Sequence, residues 1–122
     1  MYEVAIRSHF DSAHYLRGYG GRCENLHGHR WQVEVGLRAT ELNEIGLAFD
    51  FTELKRLVNE LMKRFDHVCL NDIEPFTQIN PSTENIARTI YEAVEREINN
   101  EHVAMDRVTV WESPDSWATY RK

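Results

Sequence analysis

The stretch WQVEVGLRA, residues 31–39, alternates apolar and polar side chains without a break. Its odd-numbered positions, from Trp31 to Ala39, are all apolar, whereas its even-numbered positions are polar or glycine. Successive side chains of a strand point to opposite faces, so this alternation predicts a strand with one face in the core and one face outside it.

Weaker alternation marks three further strands. Residues 2–10 carry apolar side chains at Tyr2, Val4, Ile6 and Phe10. Near the other end of the chain, residues 107–111 alternate around two valines, and WATYR (117–121) follows a SPDS turn. We therefore predict two strands at each end of the chain.

Two helices are predicted between these strand pairs. The first begins at Asp50, a good N-cap, with Glu53 placed as in a capping box. The second follows NPSTEN (80–85), where Ser82 or Thr83 could be the cap. The order strand, strand, helix, helix, strand, strand predicts an α+β fold, a four-stranded antiparallel sheet with two helices packed on one face. Such a sheet has two open edges, which favours oligomerisation.

Composition limits the class of protein. The chain has 122 residues and a formal net charge of −6, so we expect a single domain over residues 1–122 and no nucleic-acid partner. No secretory signal and no membrane-length apolar run is visible, so no membrane partner is expected. Two cysteines are too few for a disulfide framework, which favours a cytoplasmic setting.

Polar residues continue the inward-facing series at three strand ends. His27 and His29, in CENLHGH (23–29), share the parity of Trp31 if that strand extends back to residue 27. His14 continues the series of Phe10, and Glu112 continues that of the C-terminal valines. Three neutral histidines suit catalytic Zn²⁺ with an open fourth position. The alternative is that they are loop or core histidines bonded to backbone groups.

Other candidates stay open on spacing alone. Cys23 could be a fourth metal ligand, a nucleophile or proton-transfer group, or an inert thiol. Asp66 and His67 follow the first helix, where an ordinary turn and a favourable helix dipole explain them well. The sharper hypothesis is a carboxylate that orients an imidazole for proton transfer, and spacing favours the ordinary explanation.

Motifs along nearly the whole chain together resemble one known family. They are FDSAH (10–14), CENLHGH (23–29), FDFTELK (49–55), FDHVCLND (65–72), NPSTEN (80–85) and VTVWES (108–113). Each is weak alone, but their order and spacing are specific. By these motifs the chain is identified as a member of the 6-pyruvoyltetrahydropterin synthase and 6-carboxytetrahydropterin synthase family, and it looks most like the bacterial queuosine-pathway branch.

The resemblance implies a tunnelling fold (T-fold) in which three subunits join their sheets into a barrel and two trimers form a hexamer, with sites between subunits. It implies zinc ligands at His14, His27 and His29. It implies a catalytic base at Cys23 and a partner dyad at Asp66 and His67. It implies that Glu112 anchors the pterin ring, and that Thr83 and Glu84 belong to a second pterin-contacting segment.

The implied activity is that of a zinc-dependent lyase on 7,8-dihydroneopterin triphosphate. The queuosine branch gives 6-carboxy-5,6,7,8-tetrahydropterin, triphosphate and acetaldehyde, and the short chain with its CENLHGH form favours this branch. The alternative branch is 6-pyruvoyltetrahydropterin synthase. Some relatives carry glutamate in place of the cysteine and release a folate-type product, and Glu24 stands beside Cys23 here. A non-catalytic pterin- or zinc-binding protein, and a generic zinc hydrolase, are the hypotheses from other classes.

Overall fold

The computed structural model describes all residues from 1 to 122. Its main elements are β1 (Tyr2–His14), β2 (His27–Ala39), α1 (Phe51–Phe65), α2 (Thr83–Glu95), β3 (Val103–Ser113) and β4 (Ser116–Tyr120). One-turn 3₁₀ segments cover Arg22–Glu24 and Leu70–Asp72. The predicted α+β order is confirmed. Neither helix combines the length and the apolar character that a membrane span requires.

The strands form one antiparallel sheet in the order β1-β2-β3-β4. β1 and β2 pair continuously from Tyr2 opposite Ala39 to His14 opposite His27. Both strands are therefore longer than their apolar alternation predicted, because backbone pairing continues where the side chains become polar. The inferred extension of β2 back to residue 27 is confirmed.

Both helices lie on one face of the sheet and close the core. α1 packs on β1, whereas α2 packs on β3 and β4. Trp31, Phe10 and Phe65 are fully buried between the layers. The other face is polar, with the Glu34 carboxylate held between Arg7 and Arg107 at 3.1 and 3.0 Å.

The N-caps of both helices lie where the sequence predicted them, but the predicted capping box of α1 does not form. The Asp50 carboxylate accepts the Thr52 N–H at 2.8 Å, and the Ser82 hydroxyl accepts the Asn85 N–H at 3.1 Å. Ser82 is thus the N-cap of α2. The predicted capping box is wrong, because the Glu53 carboxylate pairs with Arg56 one turn later, at 2.6 Å.

The Phe65 side chain provides a test of the core. Its ring lies 5.6 Å from that of Phe10 and 6.2 Å from that of Phe76. We expect Phe65→Ala to lower the free energy of unfolding by about 3–5 kcal/mol, because it removes packing and leaves a cavity. Urea denaturation at fixed protein concentration measures this loss. The matched control is Phe51→Ala in the same helix, where the ring is 49% exposed; an equal loss in both variants would contradict the packing account.

Candidate active site

Four polar side chains converge where β1, β2 and β3 end on the helix-covered side of the sheet. They are His14, His27, His29 and Glu112, and one ligand atom from each lies within 4.8 Å of all the others. His14 and His27 are direct cross-strand partners. Glu112 lies where the register between β3 and β4 shifts, and such a bulge re-aims a side chain.

Backbone carbonyls fix the orientation of two of these imidazoles. Nδ1 of His14 lies 2.7 Å from the Pro81 carbonyl oxygen, and Nδ1 of His27 lies 2.6 Å from that of Asn25. A carbonyl can only accept, so each Nδ1 carries the proton and donates it, and Nε2 of the neutral ring presents a lone pair to the cluster. Metal-ligating histidines are normally held in this way.

The Glu112 carboxylate faces the same point. Its Oε1 lies 2.9 Å from Nε2 of His29, 3.6 Å from that of His14 and 4.0 Å from that of His27. The His29 contact is short but not aligned as a hydrogen bond, so the buried Nε2 atoms of His14 and His29 have no hydrogen-bond partner. Buried polar atoms that converge without hydrogen bonds can be satisfied together by a cation, and three imidazoles fit catalytic Zn²⁺ with a fourth position open.

The surroundings of His14 and of His29 disfavour the protonated imidazole. Burial lowers the pKa of His14 and of His29, and this effect outweighs the opposing attraction of the Glu112 carboxylate. The Trp31 indole forms the floor, with its centroid 4.8 Å from the His14 ring and 5.1 Å from the His29 ring. A metal requires unprotonated nitrogens, so burial favours binding at neutral pH.

Asp66 and His67 form a second polar group beside β1. Asp66 Oδ2 lies 2.8 Å from His67 Nδ1, and Asp66 Oδ1 accepts the Asp11 N–H at 2.8 Å. Both bonds lower the pKa of Asp66, and the bond from the Asp11 N–H has the larger effect. His67 has φ of 55°, an uncommon value for a residue with a side chain, and its N–H donates to the Asp11 carbonyl at 2.6 Å. This is the geometry of an oriented imidazole.

The remaining candidates are not among the residues with metal-ligand spacing in these two groups. Cys23 is half-buried in the Arg22–Glu24 turn and belongs to neither cluster. Thr83 is buried at the start of α2, and its hydroxyl lies 3.5 Å from Glu112 Oε2. Glu84 is exposed in the first turn of α2.

The sequence did not indicate which groups orient the side chains of the site. The carbonyls of Asn25 and Pro81 leave no trace in a pattern of side chains. Asp11 was visible within FDSAH, but its role is carried by backbone groups. Trp31 was predicted only as core, although its place on the parity of His27 and His29 could have indicated the floor of the site.

The buried histidines predict how stability depends on pH in metal-stripped protein. Their pKa values are lowered in the folded chain, so the unfolded chain binds more protons below about pH 6.5, the ordinary histidine value. The free energy of unfolding should be level above this pH and fall as the pH drops below it. Urea midpoints across this range should fall less in His14→Gln than in wild type. Identical profiles for His14→Gln and wild type would contradict the account.

Comparison with known proteins places this geometry in a family. The model of the 6-pyruvoyl tetrahydropterin synthase family matches residues 3–122. A 6-carboxy-5,6,7,8-tetrahydropterin synthase of Bacillus subtilis is 34% identical over 98% of this chain and 85% of its own length. A dihydroneopterin monophosphate aldolase of Pyrococcus furiosus is 35% identical over 89% of this chain and 88% of its own length.

The fold agrees with a solved structure of the same family. The 6-pyruvoyl tetrahydropterin synthase of Caenorhabditis elegans superposes with a TM-score of 0.89, covering 99% of this chain and 95% of that one at 26% identity. The predicted T-fold and the predicted class of enzyme, a lyase, are both confirmed. The chain belongs to the 6-pyruvoyl tetrahydropterin synthase family.

Proposed function

We propose that this enzyme converts 7,8-dihydroneopterin triphosphate and water to 6-carboxy-5,6,7,8-tetrahydropterin, triphosphate and acetaldehyde, in the queuosine pathway, with Zn²⁺ as cofactor. The observation that carries the proposal is the convergence of three imidazole Nε2 atoms and a carboxylate at one point. The Bacillus subtilis relative, which aligns over nearly the whole chain, supports the carboxy branch. Two free thiols agree with a reducing, cytoplasmic setting.

Each proposed role follows from a side chain's position. Zinc held by His14, His27 and His29 would supply Lewis acidity toward hydroxyl groups of the substrate side chain. His67, oriented by Asp66, has its Nε2 free to accept or return a proton. Cys23 is proposed as the base on the other side of the substrate side chain, where general base catalysis needs a group within hydrogen-bond reach.

The assembly is part of the proposal. Cys23, the histidine cluster and the Asp66–His67 pair do not form one contact group within the chain. The sheet has open edges at β1 and β4, with Tyr2 48% and Trp117 60% exposed there. We propose that joining these edges gives trimers, that two trimers give a hexamer, and that the catalytic groups meet between subunits.

We propose that the Glu112 carboxylate anchors the pterin ring, whose N–H and amine a carboxylate can accept in a fork. Its Oε1 faces three histidines, and its Oε2 lies 3.5 Å from the Thr83 hydroxyl. The Glu84 carboxylate is exposed in the first turn of α2, beside Thr83. Thr83 and Glu84 are proposed to belong to the second pterin-contacting segment, as the resemblance implies.

Metal content tests the cofactor. Purified enzyme loaded with zinc and desalted should contain about one zinc per chain by mass spectrometry, the occupancy of one three-histidine site. His14→Ala and His29→Ala should lose most of it, because each removes a ligand from the cluster. His102→Ala is the control, since His102 is 44% exposed and faces only Glu41 and Glu101. Equal zinc in all variants would contradict the site.

Product analysis tests the reaction. Zinc-loaded enzyme is incubated with 7,8-dihydroneopterin triphosphate, and the products are identified by mass spectrometry. We expect the 6-carboxy product with acetaldehyde, and Cys23→Ala should reduce turnover by about 10²–10⁴-fold, the usual contribution of a general base. A pyruvoyl product would assign the enzyme to the biopterin branch instead.

Two further results would also contradict the proposal. Aldolase-type cleavage would instead match the activity that the name of the Pyrococcus furiosus relative gives. Absence of turnover in zinc-containing enzyme would leave a binding protein. Full activity in Cys23→Ala would remove the thiol from the mechanism while leaving the reaction intact.

A further inference from the structure

The chain just beyond β1 is held by two asparagine side chains. The Asn71 amide accepts the Tyr15 N–H and donates to the Tyr15 carbonyl, both at 3.0 Å. The Asn80 amide does the same to Arg17, at 2.9 and 3.0 Å. We call these two side chains, with the backbone groups they bind, the amide clasp.

The amide clasp provides residues 15 and 17 with the backbone hydrogen bonds that a neighbouring strand would otherwise make. β2 begins at His27, opposite His14, so no strand is available to pair with residues 15–17. A primary amide places an acceptor oxygen beside a donor NH₂ group, so it can bond both backbone groups of one residue, as an opposing residue does in a hydrogen-bonded antiparallel pair. Asn71 is itself only 4% exposed, and its bonds satisfy backbone groups that would otherwise be left unpaired.

The opposite side of the same segment holds Cys23. Leu16, between the two clasped residues, donates its N–H to the Cys23 carbonyl at 2.7 Å. This bond closes the loop of residues 17–22, in which Gly18 and Gly20 have φ of 76° and 77°. The position of the thiol therefore depends on Leu16, whose neighbours on both sides are fixed by the clasp.

The amide clasp is also next in the chain to a residue that supports the histidine cluster. Asn80 directly precedes Pro81, whose carbonyl orients the His14 imidazole. The Asn80 carbonyl accepts the Asn85 amide at 2.9 Å, which ties this segment to the first turn of α2. One short segment thus contacts both the loop that carries Cys23 and a predicted zinc ligand.

We propose that Asn71 and Asn80 are positioning residues that set the place of the Cys23 thiol relative to the histidine cluster. The proposal rests on the base role proposed for Cys23. The two amides bind the backbone of residues 15 and 17, and the Asn71 amide oxygen also accepts the Cys69 thiol at 3.9 Å. They act on Cys23 through Leu16 and the loop, and they need not contact the substrate.

Asn80→Ala is the test, with Asn43→Ala as the matched control. Asn43 also makes two side-chain bonds to backbone, from Ile45 and Leu47 at 3.1 and 3.0 Å, but in a loop that contacts neither cluster. The measurements on zinc-loaded enzyme are kcat, KM, zinc content and the iodoacetamide alkylation rate of Cys23. Peptide mass spectrometry resolves Cys23 from Cys69, whose thiol contacts the clasp residue Asn71 and is therefore not used as a reference.

For Asn80→Ala we expect kcat to fall by about tenfold to a hundredfold with KM unchanged, since a misplaced base weakens only the transition state. Cys23 alkylation should rise several-fold, because the freed loop exposes the thiol. Zinc content should stay at the wild-type value. Lower stability alone would not raise alkylation while lowering kcat at a temperature where both variants are folded.

Two results would overturn the proposal. Asn80→Ala could match Asn43→Ala in both kcat and alkylation rate, which would make the clasp irrelevant to the thiol. It could instead lose zinc, which would mean that Asn80 acts on His14 through Pro81. Alkylation needs no turnover, so failure of the clasp stays distinguishable from failure of the base role, which Cys23→Ala reports separately.

Discussion

The central constraint of this structure is that buried polar atoms meet at one point without hydrogen bonds to satisfy them. Nε2 of His14 and of His29 are buried without a hydrogen bond, and a carboxylate oxygen faces them at 3.6 and 2.9 Å. Buried polar atoms left in this state destabilise a fold unless something neutralises them. A divalent cation satisfies all of them together. The four side chains therefore form a group that could hold a metal ion.

The sheet register brings these groups together. His14 and His27 are opposed only because β1 and β2 pair without a bulge along their full length. Glu112 reaches the same point because the β3–β4 pairing shifts at that residue. Because β1 and β2 pair in continuous register and the β3–β4 pairing shifts at Glu112, side chains from β1, β2 and β3 meet at one point. The Asp66–His67 pair depends on β1 in a different way, through both backbone groups of Asp11.

Side-chain periodicity predicted the architecture and the inward direction of the histidines. Residues 31–39 show the reason. A strand with one buried face alternates apolar and polar side chains, and His27 and His29 lie on the same face as Trp31 because the strand continues back to residue 27. The alternation did not predict the full length of β1, because residues 11–14 pair through backbone after the clear apolar pattern has ended. It also could not locate Asn25 or Pro81 beside the imidazoles, since any residue offers a carbonyl.

Other features could not be predicted from the sequence because they depend on tertiary contacts. Spacing favoured an ordinary helix end at Asp66 and His67, because the left-handed backbone of His67 and its bond to β1 are tertiary facts. Glu53 was expected to complete a capping box with the N-cap Asp50, but its carboxylate pairs with Arg56 instead. Glu84 and Glu112 look alike in sequence, and only their surroundings separate an exposed carboxylate from one directed at histidines.

The most direct test of the metal site is anomalous diffraction at the zinc absorption edge from crystals of the purified enzyme. The account predicts one strong peak per chain, within bonding distance of the Nε2 atoms of His14, His27 and His29. A peak between Asp11, Asp66 and His67, the other group with metal-ligand spacing, would contradict it. So would crystals of zinc-loaded enzyme without any peak at the three histidines.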